Sequence, residues 1–196
     1  MEENNEQNTE EELAYSFNIV LDDAIAQKII NVQKGLFEKF GERRKYDPSP
    51  HLSIATKFMD QSKTDDFVKA LENEFQENKS WELEFAGFAP SETGSYIFLN
   101  LSDQSRKKVF ELHRRAFEAT KNIGYEGHGG LPPEYPYDPH ISIIKSKSEE
   151  RDDILKLINK NLSRVKMKVN SYVVTRQENN EDGFIVFPAL YKIDLK

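Results

Sequence analysis

The sequence predicts an α+β fold of two pseudo-symmetric lobes, with antiparallel-rich sheets, helices on the outside and a central groove carrying two His-x-Ser motifs. Two observations predict it. The order strand–helix–loop–strand–helix–strand is read twice along the chain. One short stretch is shared by the two passes: Pro50-His51-Leu52-Ser53-Ile54 and Pro139-His140-Ile141-Ser142-Ile143, each opening the strand after the first helix of its half.

The first pass begins with the alternating segment 14–21, a strand. Asp22 caps the helix that follows; Ile25, Ile29, Val32, Leu36 and Phe40 fall at helical spacing, and Gly41 ends it. A basic, proline-bearing loop over 42–50 leads into a strand over 51–59. Thr64, Asp65 and Asp66 open a second helix with Phe67, Leu71 and Phe75 on its apolar face, and 81–89 alternates as a strand. The second pass starts with a strand over 95–101 and a helix over 103–123 carrying Val109, Leu112, Ala116 and Phe117, ended by Gly124. A longer loop, 125–139, precedes the strand 140–147. The next helix starts at Ser148 and carries Ile154, Leu157, Ile158 and Leu162. Two further strands, 165–175 and 183–195, are joined by the turn-forming ENNEDG. The lobes are expected at about 14–93 and 94–196 of a single domain, with room for strand exchange between them.

The 196 residues suffice for one domain of good size. With no cysteine, a disulfide scaffold, thiolate-held zinc and a cysteine nucleophile are excluded. The formal net charge is −7, but residues 1–13 hold six Glu and no Lys or Arg. Removing them leaves 34 − 6 = 28 acidic against 27 basic residues, so the acidity belongs to a tail expected to be disordered and solvating. The rest is near neutral, which argues against a duplex-DNA footprint. The N-terminal segment has neither basic residues nor an apolar core and does not read as a secretory leader. No apolar run approaches the roughly 20 residues that span a bilayer. The expectation is an intracellular, cytoplasmic monomer, a nuclear location being compatible.

Strand parity gives the shared stretch its chemical meaning. Side chains alternate, so His51 and Ser53 share one face while Leu52 and Ile54 take the other; His140 and Ser142 do the same. If the halves pack about a pseudo-twofold axis, two imidazoles and two hydroxyls converge on one groove. That set suits phosphoryl transfer: one neutral imidazole takes a proton from the attacking oxygen and the other, protonated, gives one to the leaving oxygen. Hydroxyls and nearby cations hold the non-bridging oxygens. The plainer alternative is a strand-opening pattern kept from a duplication, which leaves unexplained why His and Ser stand opposite the core.

The paired motifs in a two-lobed repeat resemble the 2H phosphoesterase superfamily, which includes 2′-5′ RNA ligase-like proteins and cyclic phosphodiesterases. The resemblance extends over about 14–196. Its motif is His-x-Ser/Thr twice, so it implies His51 and His140 as catalytic residues and Ser53 and Ser142 as phosphate-binding residues. It further implies work without metal or other cofactor on 2′,3′-cyclic phosphates or 2′-5′, sometimes 3′-5′, phosphodiester bonds. The partner is then a nucleotide, an oligonucleotide or an RNA end.

Other residues carry weaker signals. Arg43, Arg44, Lys45 and Tyr46 precede the first motif, and Tyr125, Tyr135 and Tyr137 precede the second. Of these, Arg44, Tyr46 and Tyr137 are candidates for substrate contact, since rings stack on bases and cations meet phosphates. Lys57 joins them because it has the parity of His51 and Ser53. His113 reads as an ordinary interface or surface histidine. His128, in EGHGG, reads as a turn residue able to cover the groove. A metal held by His51, His140 and His128 is disfavoured: no acidic residue has ligand spacing to either motif, and no H-E-x-x-H pattern exists. The function expected is a metal-independent phosphodiesterase. A nucleotide- or RNA-binding module without turnover, and an RNA 2′-5′ end ligase using the same residues, are the alternatives.

Overall fold

A computed structural model describes residues 12–41, 50–126, 137–158, 165–179 and 185–196. The tail expected over 1–13 lies outside them as far as residue 11, as do the loop residues Arg43, Arg44, Lys45, Tyr46, His128 and Tyr135 and the helix position Leu162.

The chain forms β1 (Leu13–Val20), α1 (Asp23–Phe40), β2 (His51–Met59), α2 (Thr64–Phe75), β3 (Trp81–Pro90), β4 (Tyr96–Leu101), α3 (Asp103–Thr120), β5 (Tyr125–Glu126), β6 (His140–Lys145), α4 (Arg151–Ile158), β7 (Lys166–Val169), β8 (Ser171–Arg176), β9 (Glu178–Asn179), β10 (Ile185–Val186) and β11 (Ala189–Asp194). Among the described residues one sheet has the order β11-β8-β1-β2-β5 and a second β6-β4-β3-β7, with a small β10-β9 ribbon. Every pairing is antiparallel.

The sheets do not respect the halves of the repeat. The first pass contributes β1 and β2 to the first sheet but sends β3 into the second, against β4. The second pass contributes β4 and β6 to the second sheet but sends β8 into the first, against β1. The switch back occurs at Asn170. The predicted strand 165–175 is two strands, with Val169 pairing Trp81 in one sheet and Ser171 pairing Asp194 in the other. The burial pattern changes at the same point. Lys166 and Lys168 point outward in β7, whereas Tyr172, Val173, Val174 and Thr175 are all buried in β8, which is flanked by a strand on each side. The predicted strand 183–195 is likewise divided, between β10 and β11, at Phe187-Pro188.

The helices form as their sequences dictate. Asp22 caps α1 by accepting from the Ile25 N–H at 2.8 Å, and Ser102 caps α3. Ile25, Ile29 and Leu36 of α1, Phe67, Leu71 and Phe75 of α2, and Val109, Leu112 and Ala116 of α3 are buried in one core that takes in both sheets. Phe117 and Leu157, expected on apolar faces, are exposed. Gly124 ends the α3 segment at φ +60°, and a Cβ there would meet the Phe58 carbonyl oxygen at 2.3 Å, so the close approach requires glycine.

Candidate active site

Both motif strands begin at their histidine, and both contain a β-bulge in the same place. In β2, His51 and Ser53 pair with Val20 and Asn18; the next paired residue is Ala55, opposite Phe17, so Ile54 is extra. In β6, His140 and Ser142 pair with Asn100 and Phe98; the next paired residue is Ile144, opposite Ile97, so Ile143 is extra. The isoleucine closing each shared pentapeptide is therefore the bulge residue. Leu52, Ile54, Ile141 and Ile143 are buried, while His51, Ser53, His140 and Ser142 are half-buried on the other face. Among the described residues no ladder joins β2 to β6, yet the two strands approach within 8 Å at Cα. The two strands that carry the motifs are thus neighbours across the seam between the sheets.

His140 is held on two sides. Its Nδ1 donates to the Asp138 carbonyl at 2.6 Å, which fixes the tautomer of the neutral ring and puts the ring's lone pair on Nε2. The ring lies on Phe98, and the Asp138 carboxylate is paired with Arg106 of α3. His51 meets the Phe187 ring edge-on, centroids 5.7 Å apart. Beside it opens a cleft of about 290 Å³ lined by Asn18, Val20, Thr175, Phe187 and Lys192.

A second layer of contacts lies behind Ser53. Tyr137 donates its hydroxyl to the Ser53 carbonyl at 2.6 Å. Its ring stacks on His113 with centroids 4.0 Å apart, and Phe110 meets it edge-on. Burial pushes the Tyr137 hydroxyl well above the ordinary tyrosine range, with the Asp138 carboxylate adding to the effect. Tyr137, a substrate-contact candidate in the sequence, is thus anchored to β2 by its hydroxyl and to α3 by its ring.

Lys57 is also relocated, and the bulge is the reason. One extra residue inverts the parity of everything after it, so Lys57 pairs with buried Tyr15 on the core face, opposite to Ser53. Its Nζ sits 5.2 Å from the Phe117 ring centroid, and it neighbours Glu126 across the ladder. Lys57 does not reach the groove. Tyr125, at 53% exposure, stacks on Phe58 and donates to the Glu12 carboxylate. Arg44 and Tyr46 lie outside the described residues. Among the described residues, no three His, Cys, Asp or Glu side chains form a cluster able to hold a metal ion, and no helix is long and apolar enough to cross a membrane.

The family model described as "2′-5′ RNA ligase superfamily" matches residues 21–181, which include both motifs. The chain belongs to the 2′-5′ RNA ligase superfamily. No curated protein matches it by sequence. Solved structures similar to it include E. coli LigT complexed with 3′-AMP, at 14% identity and TM-score 0.70 over 94% of this chain and 99% of that one. TT0787 of Thermus thermophilus matches at 14% identity and TM-score 0.65 over 92% and 97%. A structure described only as a phosphoesterase matches at 13% and 0.66 over 94% and 99%. These likenesses extend over nearly the whole fold, as expected of a member of the 2H phosphoesterases. In this superfamily member Asn18, Phe98 and Phe187 stand beside the motifs through strand pairing and ring contact, which no local sequence pattern marks. Gln33 is marked, as a polar residue at the spacing of the apolar stripe Ile25, Ile29, Leu36. That misplaced polarity was the available signal.

Proposed function

We propose that this protein is a phosphodiesterase acting on 2′,3′-cyclic phosphate ends or 2′-5′-linked nucleotides, with His51 and His140 as acid and base and Ser53 and Ser142 holding the phosphate. The observation that carries the reading is the pair of His-x-Ser motifs on neighbouring strands, each turned away from the core and each followed by the same bulge. A water oxygen attacks phosphorus and passes its proton to the neutral imidazole. The phosphorus–oxygen bond to the ribose breaks, and the other imidazole, protonated, delivers a proton to that leaving oxygen. The hydroxyls of Ser53 and Ser142 donate to non-bridging oxygens as negative charge builds on them. The Asp138 carbonyl keeps Nδ1 of His140 occupied, so that proton transfer runs through Nε2. Membership of the superfamily supports the reaction class. The neighbouring LigT structures with 3′-AMP and ATP support a nucleotide-sized ligand.

The test is turnover by purified protein of the four 2′,3′-cyclic nucleotides and of 2′-5′ and 3′-5′ oligoadenylates, followed by mass spectrometry. A mass gain of one water on a cyclic nucleotide, or cleavage of a 2′-5′ bond, is the expected result. Binding without a change in mass would favour a binding module instead.

A further inference from the structure

The two bulges are held by a matched pair of residues from matched helices. α1 and α3 each run for 18 residues behind a side-chain cap. Gln33 is the eleventh residue of α1 and His113 the eleventh of α3. Gln33 Nε2 donates to the Ile143 carbonyl at 3.2 Å, and His113 Nδ1 donates to the Ile54 carbonyl at 2.7 Å. Ile143 and Ile54 are the bulge residues of β6 and β2. Each bond crosses the repeat: α1 precedes β2 in the chain but grips β6, and α3 precedes β6 but grips β2.

A bulge bends its strand and re-aims the side chains beside it, so where its carbonyl is anchored decides where the preceding residues point. Here the preceding residues are Ser53 and His51 in one strand, Ser142 and His140 in the other. Gln33 is 4% exposed and its bond is buried, so its loss leaves a carbonyl in need of a donor where water has little access. The equivalence extends from position to geometry, although one residue is an amide and the other an imidazole; the feature common to both is an N–H aimed at the bulge.

The geometry points to Gln33 and His113 as positioning residues, each fixing the acid–base and phosphate-binding pair of the opposite half. The two motifs are then placed by each other's helices, and their separation is set by two crossed bonds through the core. The inference deepens the phosphodiesterase reading and its kinetic arm rests on it, whereas its spectroscopic arm does not.

The experiment compares the imidazole Cε1–Hε1 cross-peaks of the full chain in Gln33→Met and His113→Phe. Met keeps the reach of Gln without the N–H; Phe keeps a ring on Tyr137 without the N–H. Gln33→Met should shift the His140 cross-peak and leave that of His51 in place; His113→Phe should shift His51 and leave His140. In turnover of a 2′,3′-cyclic nucleotide, each should lower kcat by about 10- to 100-fold, the order expected for a displacement near 1 Å, with KM changed far less. His113→Asn, whose amide nitrogen stands near the place of Nδ1, should restore kcat to within about threefold. Movement of the same-half histidine alone, of both equally, or of neither in a folded variant would overturn the proposal. If the parent turns over no nucleotide, the phosphodiesterase reading fails while the cross-peaks still decide the positioning. If one variant does not fold, the other carries the comparison.

Discussion

The imidazole of His140 lies flat on the ring of Phe98, with centroids 3.6 Å apart and planes 13° from parallel. The bond from Nδ1 to the Asp138 carbonyl fixes the ring's edge, and Phe98 fixes its plane. Neither constraint does the work of the other, because a ring held only by one hydrogen bond can still rock about it. Phe98→Leu should therefore lower kcat by roughly tenfold with the chain still folded, a cost of lost orientation. Paired kinetics and circular dichroism check this; unchanged kcat would show that the Asp138 bond suffices.

Replacing either histidine should remove a proton-transfer step. His51→Ala and His140→Ala are each expected to lose about 10²–10⁴-fold in rate. The double variant should be little worse than the worse single one, because the two act on one transition state. Rate against pH should be bell-shaped for the parent, since one ring must be neutral while the other is protonated. A folded single variant with near-parent turnover would make that half's motif a remnant of the duplication.

The hydroxyls should matter less than the imidazoles. Ser53→Ala and Ser142→Ala each remove one hydrogen bond to a charged oxygen, worth about 1.5–3 kcal/mol, or roughly 10- to 150-fold in kcat/KM. Inorganic phosphate inhibition should weaken in parallel. A variant that loses turnover but binds phosphate as before would take that serine out of the phosphate-holding role.

Local pattern carried much of the architecture. Parity within PHLSI and PHISI separates the faces of both motif strands, and the cap Asp22 marks the start of α1, because each depends on residues a few positions apart. What the sequence could not show depends on partners far away in the chain. The bulges at Ile54 and Ile143 exist only relative to β1 and β4, and the first of them turned Lys57 from a groove candidate into a buried residue. The exchange at Asn170 depends on two different sheets accepting adjacent residues. His113 read as ordinary because its acceptor, the Ile54 carbonyl, is 59 positions away.

Turnover should survive removal of divalent ions. The proposed chemistry draws its charge stabilisation from hydroxyls and imidazoles, and among the described residues no cluster of three potential ligands stands near either motif. Dialysis against EDTA should leave kcat unchanged, and added zinc or manganese should not raise it. Activity lost on dialysis and restored by a metal would overturn the two-histidine scheme.

Lys57 should cost stability at neutral pH. The residue is 2% exposed, and burial pulls its ammonium below the ordinary value of 10.5, an effect that the Glu126 carboxylate opposes without cancelling. The folded chain thus holds this proton less tightly than the unfolded chain does. Between the lowered folded value and 10.5 the unfolded state carries more protons, so stability rises with pH through that window and is lost as pH falls through the folded value. Lys57→Met removes the penalty while keeping most of the packing volume, and Glu126, half-buried, keeps access to water without its neighbour. Relief of about 1 kcal/mol would raise Tm by about 2–4 °C in a chain of this size. The expected outcome is a variant more stable than the parent at pH 7, with an advantage that shrinks toward pH 10. Thermal melts of both proteins across that range decide it. A variant less stable at pH 7, or an advantage that grows with pH, would show that the contacts with Phe117 and Glu126 outweigh desolvation.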